Sequence, residues 1–273
     1  MKHRIRHSQN LRQQLSFYAA ELNADEQELN ETFEWMLANE VVFEEGDTER
    51  PYYSICSVDI EERIEHSLAK RFYHRLKKDI PTTLVPLYGY NWITFKDRCL
   101  RAWEQAYNIL INKIPCHALR LWWLRMGGAK IGKGSTIWRH TEILGIENLR
   151  IGEDSMIAWH CQIDARAGLI IGNHVAIASH ALIIAGTHDL QAPEFWSISA
   201  PIYIEDYAWI ASRAMVVHGA HIGHGAVVSA NTVVGKIVPP YKIVGGLGAK
   251  PIGERVRELN YKVGGKSLLT LFH

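Results

Sequence analysis

A six-residue periodicity between residues 129 and 250 constrains the fold of this 273-residue chain more than any other feature. An aliphatic residue followed by a small or acidic one recurs every six positions, with starts that include Ile131, Ile151, Ile171, Ile204 and Ile222. The first three of these starts are twenty residues apart, which is three hexapeptides plus two corner residues, and the last two are eighteen apart. This repeat predicts a parallel β-helix with three flat faces per coil and an aliphatic core.

An ordinary arrangement of alternating strands and helices is the alternative fold. It needs helices of about ten or more residues between its strands. Residues 131–183 leave no room for such helices. The sequence therefore predicts a mainly β protein, with the β-helix domain at 129–250 preceded by a mostly helical N-terminal domain.

Residues 1–98 lack the repeat and form the predicted accessory domain. Apolar residues at helical spacing predict a helix between Leu11 and Leu22, and Asn23 with Glu26 could cap a second one. Alternating apolar residues around Gly46 predict a β-hairpin near residues 41–55. This order resembles a winged helix, but the second helix is acidic and would repel phosphate. Oligomerisation or partner docking is the favoured role.

Residues 99–128 connect the two domains, and 251–273 form a C-terminal tail whose charged start predicts a short helix. Pro115 should precede a helix that ends at Gly127. This helix mixes tryptophan, leucine and arginine, which fits either a membrane-surface helix or a cap over the first coil. We favour the cap. The residues concerned are Leu119, Arg120, Leu121, Trp122, Trp123 and Arg125.

The overall charge and cysteine pattern narrow the function further. A formal net charge of +1 argues against a general electrostatic grip on nucleic acid. The N-terminus shows no apolar signal core, and the sequence contains no run of eighteen apolar residues. The four cysteines show no paired metal-ligand spacing and are expected to be reduced thiols in a cytoplasmic protein. They are Cys56, Cys99, Cys116 and Cys161.

His188 lies in the one long interruption of the repeat, from about Gly186 to Pro201. Twenty-one residues separate Ile183 from Ile204, against eighteen for a plain coil, so a loop has been inserted. A histidine titrates near neutral pH and can take a proton from an attacking hydroxyl. The position and chemistry of His188 together indicate a catalytic base.

Residues 186–255 resemble the hexapeptide-repeat O-acetyltransferases. The shared motifs include Thr187-His188-Asp189, the run from Ala208 to Ala211 and the Val-Pro-Pro of residues 238–240. The chain is most similar to the colanic acid acetyltransferase group and, more distantly, to maltose and galactoside acetyltransferases. The resemblance implies left-handed coiling, a homotrimer, and acetyl-CoA bound in the groove between adjacent β-helices.

The same resemblance assigns site residues. His188 is the general base, and Asp189 either orients its imidazole or is a turn residue. The acetyl-CoA contacts carried over are Trp209, Ser212, Ala230, Gly235, Lys250 and Arg255, although Gly235 stands where the family often has threonine. The acceptor contact that it indicates is Asp164. Phe195 and Trp196, at the centre of the interruption, are expected to contact the acceptor or a neighbouring subunit, unless they simply pack the loop.

These observations predict an acetyl-CoA-dependent O-acetyltransferase acting on a carbohydrate in surface polysaccharide biosynthesis. Its partners are the carbohydrate and further copies of itself, with no nucleic acid and no metal. The location is cytoplasmic, at the inner membrane face if the connecting helix contacts lipid. Acetylation of an antibiotic of streptogramin type or of an amino-sugar nitrogen are alternatives. A non-enzymatic β-helix of the γ-carbonic-anhydrase type also stays open, because His160 and His180 could stack to hold a metal.

Overall fold

The computed structural model describes residues 3–7, 9–47, 50–57, 60–81, 94–193 and 195–263. The chain forms two compact units: the first unit is Met1–Trp92 with Thr187–Ala200, and the second unit is Ile93–Gly186 with Pro201–His273. The segment that interrupts the repeats therefore groups with the N-terminal part of the chain. The sequence had placed that segment inside the β-helix domain at 129–250.

The α-helices and β-strands have the following bounds. Among the described residues the helices are α1 Leu15–Leu22, α2 Glu26–Ala38, α3 Ser67–Asp79, α4 Phe95–Ile109 and α5 His117–Met126. The strands are β1 His3–His7, β2 Val42–Asp47, β3 Arg50–Cys56, β4 Lys130–Ile131, β5 Thr136–Ile137, β6 Glu142–Leu144, β7 Leu149–Ile151, β8 Met156–Ile157, β9 Gln162–Asp164, β10 Leu169–Ile171, β11 Ala176–Ile177, β12 Leu182–Ile184, β13 Gly186–His188, β14 Ser197–Ser199, β15 Ile202–Ile204, β16 Trp209–Ile210, β17 Met215–Val217, β18 His221–Ile222, β19 Val227–Val228, β20 Val233–Val234, β21 Ile237–Val238, β22 Lys242–Gly245 and β23 Lys250–Glu254.

The first unit contains a five-stranded sheet in the order β13-β14-β1-β3-β2. Strand β1 pairs parallel with β14 and antiparallel with β3. The predicted hairpin is confirmed, because β2 and β3 pair antiparallel from Val42 opposite Ile55 to Asp47 opposite Arg50. Phe33 of α2, Phe72 of α3 and Tyr53 of β3 are each 0% exposed, so helices and sheet share one core.

The junction between α1 and α2 differs from the prediction. Asn23 ends α1 with a left-handed φ of 48°, a conformation that asparagine tolerates better than most residues. The cap of α2 is Asp25, whose carboxylate accepts hydrogen bonds from the amides of Gln27 at 2.9 Å and Glu28 at 3.3 Å. The expectation that Asn23 caps the second helix is therefore wrong by two positions.

Three parallel sheets form the faces of a β-helix in the second unit. Their strand orders are β21-β18-β15-β10-β7-β4, β22-β19-β16-β11-β8-β5 and β20-β17-β12-β9-β6. Successive coils align the repeat starts, so that Ile151, Ile171, Ile204 and Ile222 are neighbours in one column. Each of these four side chains is at most 6% exposed. The predicted β-helix with inward aliphatic residues is confirmed.

Helices α4 and α5 pack on the first coil of the β-helix. Tyr107 and Leu124, both 0% exposed, belong to the same core as Ile137 and Ile143 of that coil. The Arg120 guanidinium is fully buried and donates from Nε and Nη2 to the Ile137 carbonyl at 3.1 and 2.9 Å. These contacts cover the apolar end of the coil, which would otherwise face water.

The start of the C-terminal tail is a strand rather than the predicted helix. Strand β23 pairs antiparallel with β22, from Lys242 opposite Glu254 to Gly245 opposite Lys250. Pro251 and Gly253 within it are poor helix residues, and this explains the error. Separately, no helix among residues 3–81 and 94–263, as far as described, has the length and apolarity needed to cross a membrane.

Candidate active site

His188 ends strand β13, and its imidazole lies against Phe195. The two rings stack with centroids 4.1 Å apart and an interplanar angle of 5°. Nδ1 of His188 is 3.3 Å from the Phe195 carbonyl oxygen. A carbonyl oxygen can only accept, so this contact is a hydrogen bond in the tautomer that carries the hydrogen on Nδ1, and that tautomer leaves the lone pair on Nε2. A general base needs an imidazole nitrogen with a free lone pair, and this tautomer provides one.

Phe195 adopts a backbone conformation that aromatic residues seldom occupy. Its φ is 51°, in the left-handed region, and its amide donates to the Ala192 carbonyl at 2.9 Å. Such a conformation costs about 1 kcal/mol or more and is retained where the surrounding structure fixes it. The turn brings the Phe195 carbonyl to His188. The ring is 46% exposed, so it stacks on the imidazole with one face and leaves the predicted acceptor contact open.

Asp189, the other residue predicted to be catalytic, has its described side-chain contacts with groups other than the imidazole. Among the described residues its carboxylate contacts the Arg4 guanidinium and accepts from the Gln191 amide at 2.9 Å. Its own amide donates to the Trp196 carbonyl at 2.8 Å. These contacts fit the turn-residue role predicted for Asp189, and its role in catalysis stays a prediction.

Trp196 is a core residue of the first unit. It is 5% exposed and meets the Phe43 ring edge-on, with centroids 5.2 Å apart. A side chain buried in this way cannot touch an acceptor, so the predicted substrate contact of Trp196 is replaced by loop packing. The sequence could not separate the two roles, because an aromatic residue in an insertion fits both.

The predicted acetyl-CoA residues lie in the second unit. Trp209 is 45% exposed and stands between Ala176 of the preceding coil and Val227 of the next. Ser212 and Ala230 lie at exposed corners of adjacent coils, where the Asn231 amide donates to the Ser212 carbonyl at 3.3 Å. Their short side chains keep the backbone accessible.

Gly235 and the two predicted cationic residues, Lys250 and Arg255, have different surroundings. A Cβ on Gly235 would lie 2.6 Å from a Val217 methyl, so the missing side chain keeps this surface flat. Lys250 is exposed in β23 and suits a phosphate contact. Arg255 instead donates to the Tyr207 carbonyl at 2.7 Å and to the Tyr261 hydroxyl at 2.9 Å. Its guanidinium holds the tail, so the phosphate role predicted for Arg255 is weakened.

Asp164, the predicted acceptor ligand, is 1% exposed. Both of its carboxylate oxygens accept from Arg166, with Nε to Oδ1 at 2.8 Å and Nη2 to Oδ2 at 2.7 Å. This side-on pair occupies the carboxylate. The group that reaches solvent here is Arg166, with 38% of its side chain exposed, and the sequence analysis missed it.

Three corner histidines form a column of stacked rings. His140 lies 5.0 Å from His160, and His160 lies 5.2 Å from His180, with interplanar angles of 5° and 4°. The suggestion that His160 and His180 stack is therefore correct. Parallel rings at this spacing do not converge their nitrogens on one ion. Within the described ranges no group of three or more histidine, cysteine or acidic residues has metal-binding geometry.

The sequence analysis did not identify a further pair, which is formed by His221 and Glu205. Nε2 of His221 is 2.6 Å from a Glu205 carboxylate oxygen, and the second oxygen of Glu205 accepts from the His224 amide at 2.7 Å. The pair lines an open cleft of about 420 Å³ beside Tyr203. Arg4, the partner of Asp189, was also missed, because 185 positions separate the two residues and no local pattern connects them.

Comparison with known proteins identifies the family. Residues 201–236 match the bacterial transferase hexapeptide family, described as six repeats. The chain is 31% identical over 137 residues to the Escherichia coli K12 protein WcaF, named as a colanic acid biosynthesis acetyltransferase. That match covers 50% of this chain and 75% of WcaF. The chain belongs to the hexapeptide-repeat acetyltransferases.

Solved hexapeptide-repeat acetyltransferases share the β-helix. One from Vibrio cholerae, crystallised with acetyl coenzyme A, is 27% identical with a TM-score of 0.56, over 61% of this chain and 92% of that one. The left-handed parallel β-helix and the acyltransferase class of this chain follow from its membership. The chain also resembles a Klebsiella aerogenes chloramphenicol acetyltransferase, at 36% identity over 110 residues, 32% of this chain and 51% of the relative.

Proposed function

We propose that this hexapeptide-repeat acetyltransferase transfers an acetyl group from acetyl-CoA to a hydroxyl of a carbohydrate during surface polysaccharide assembly. The observation that carries the proposal is the contact of His188 Nδ1 with the Phe195 carbonyl oxygen at 3.3 Å, which favours the tautomer with a lone pair on Nε2. The name of WcaF, a colanic acid enzyme, supports a polysaccharide acceptor. The acetyl-CoA complex of the Vibrio relative supports the donor.

The surface of the second unit fits acetyl-CoA. Exposed Trp209 offers an apolar face for the pantetheine arm, and the small residues Ser212 and Ala230 allow close backbone approach. Gly235 adds no side chain, and exposed Lys250 supplies a cation for a phosphate. We include Lys250 in the proposed site and leave Arg255 to its structural contacts.

His188 performs the proton transfers in the proposed mechanism. Acetyl-CoA supplies the acetyl group as a thioester. Nε2 of His188 accepts the proton of the acceptor hydroxyl while the oxygen bonds to the acetyl carbon. The same nitrogen then returns the proton to the departing sulfur as the carbon–sulfur bond breaks. The products are an acetyl ester and the free thiol of CoA, so atoms and charge balance.

The proposed acceptor contacts are Phe195, through the exposed part of its ring, and the Arg166–Asp164 pair. The resemblance also supports a homotrimer, which native mass spectrometry would detect as a particle of three times the chain mass. Peripheral contact with the membrane through exposed Trp122 would place the enzyme beside lipid-linked sugars. Sedimentation with anionic vesicles tests that contact.

The test is transfer from acetyl-labelled CoA to a panel of sugars, nucleotide sugars, amino sugars, oligosaccharides and antibiotics. His188→Ala should lower kcat by roughly 10² to 10⁴ fold, as expected for loss of a general base. His180→Ala is the matched control, because His180 is an exposed histidine of the repeat column and should retain wild-type turnover. Equal activity of the two variants would refute the role of His188.

Acetylation of an antibiotic is the second candidate function. Its support is the chloramphenicol acetyltransferase match, which covers 51% of that relative. A turnover on chloramphenicol or a streptogramin that exceeds turnover on every sugar would establish it in place of the carbohydrate proposal. Preferred transfer to an amino sugar nitrogen would instead establish N-acetylation.

A further inference from the structure

The turn that carries His188 belongs to the sheet of the first unit. Strand β14, directly after the turn, pairs parallel with β1, with Arg4 opposite Ile198. Nε2 of His3 on β1 lies 3.0 Å from the Ser199 hydroxyl. The histidine loop is therefore a structural part of the N-terminal unit.

Arg4 makes the central side-chain contact between β1 and this turn. It is 4% exposed and lies over the Phe43 ring at 4.5 Å and near the Trp196 ring at 5.7 Å. Its guanidinium pairs with the carboxylates of Glu45 and Asp189. A planar guanidinium can stack on aromatic rings and bind carboxylates at once, which a lysine ammonium does not reproduce.

Contacts across the turn connect Arg4 to the imidazole. The Asp189 amide donates to the Trp196 carbonyl at 2.8 Å, and next to it His188 Nδ1 lies 3.3 Å from the Phe195 carbonyl. His188 and Asp189 on one side of the turn thus bind the adjacent carbonyls of Phe195 and Trp196 on the other side. Arg4 holds the Asp189 side chain, and the buried Trp196 ring holds the opposite side. The direction of Nε2 depends on both.

We propose that Arg4 is a positioning residue for His188, acting through Asp189, and that the first unit is the support of the catalytic loop. The inference rests on the proposed function, in which His188 is the base. Arg4 touches no reacting group. Its substitution therefore disorders the direction of the imidazole and leaves donor binding intact.

The experiment is a double-mutant cycle with Arg4→Gln, Asp189→Asn and the combined variant in the full-length chain. Each single variant should lower kcat by about 10- to 100-fold, the order expected from misplacing a catalytic group. KM for acetyl-CoA should stay within about twofold, since its proposed contacts are elsewhere in sequence. The double variant should lose no more than either single one, because both substitutions break the same contact.

Two further variants separate positioning from general folding. Arg75→Gln removes another arginine of the first unit, which pairs with Glu21 of α1 and Asp79 of α3. None of its described contacts reaches the turn, so this variant should keep wild-type kcat. Arg4→Lys keeps the charge and should recover part of kcat. If Arg4→Gln fails to fold, Asp189→Asn, which leaves Arg4 paired with Glu45, still tests the proposal.

Nitrogen-15 NMR of histidine-labelled protein supplies a readout besides activity. The wild-type His188 ring should show the Nδ1–H tautomer, and Arg4→Gln should broaden its signals or average the tautomers, while Arg75→Gln leaves them unchanged. An unchanged His188 ring in Arg4→Gln, or losses that multiply in the double variant, would overturn the proposal. Failure of the proposed function would give a different result. His188→Ala would then keep full activity, while Arg4→Gln would still alter the signals of the His188 ring.

Discussion

The His188 imidazole makes two contacts with one residue, a hydrogen bond to the Phe195 carbonyl and a ring stack at 4.1 Å. The backbone of Phe195 supports both only because its φ is 51°. The chemistry of the histidine could be predicted from the Thr-His-Asp motif, since residue type and local pattern carry it. The contacts of His188 and Asp189 could not be predicted, because they depend on a turn conformation and on Arg4, which is far away in sequence.

Trp209 offers a prediction at the same scale. Trp209→Ala removes an exposed aromatic face, so KM for acetyl-CoA should rise about tenfold, with a smaller change in kcat. Trp122→Ala is the control, because Trp122 is similarly exposed at 51% but lies in α5. Steady-state kinetics with varied acetyl-CoA checks the result. A change confined to KM for the acceptor would remove Trp209 from the donor site.

Individual elements were predictable where their pattern is local. Each coil of the β-helix repeats one inward aliphatic residue per face, so sequence spacing was sufficient to define it. The tail was mispredicted because charge suggested a helix, whereas Pro251 and the pairing of β23 with β22 favour a strand. The sequence predicted a helix that caps the first coil, but not the hydrogen bonds from buried Arg120 to the Ile137 carbonyl, because no apolar pattern reveals a buried charged group.

A buried ion cluster that joins α4 to the segment before β7 gives a stability prediction. Arg101, 2% exposed, pairs with Glu104 and Glu147, which are 1% and 9% exposed. Arg101→Met leaves two buried carboxylates without this cation and should lower the free energy of unfolding by about 3–5 kcal/mol. Arg12→Met is the control: its pairs with Glu34 and Glu44 are partly exposed, so the loss should be at most about 1 kcal/mol. Urea titration measures both, and similar losses would contradict the prediction.

His117 of α5 gives a pH prediction. Burial and then the adjacent Arg120 cation lower its pKa from the ordinary 6.5. The folded state therefore favours the neutral ring, while the unfolded chain binds a proton once pH falls below about 6.5. Stability should be unaffected by this group above that pH and should decline below it, by up to about 1.4 kcal/mol per pH unit.

The measurement for His117 is urea unfolding between pH 5 and 8, with His117→Gln for comparison. The variant should be less stable at pH 8 but show a shallower decline toward pH 5. The acidic decline of the wild type should not vanish in the variant, because burial also lowers the pKa of His7 in the first unit. A slope that is identical in both proteins would mean that His117 does not contribute.

At the scale of the whole molecule, two hydrophobic cores divide the chain. One joins α4, α5 and the β-helix, and the other joins α1–α3, the five-stranded sheet and Trp196. The sequence predicted the β-helix and a separate N-terminal domain from the extent of the repeat. It did not predict that Thr187–Ala200 groups with the N-terminal unit. This grouping depends on the pairing of β14 with β1, and these two strands are far apart in sequence.

Two cores should give two cooperative unfolding transitions in differential scanning calorimetry. Phe72→Ala and Ile177→Ala each empty a fully buried position, one in each core, and should cost about 3–5 and 2–5 kcal/mol. Phe72→Ala should lower the transition of the first unit by roughly 10 °C or more and leave the other nearly unchanged. Ile177→Ala should do the reverse. If either substitution moves both transitions together, the units unfold as one cooperative body, and the N-terminal unit could not lose its hold on His188 without the β-helix unfolding too.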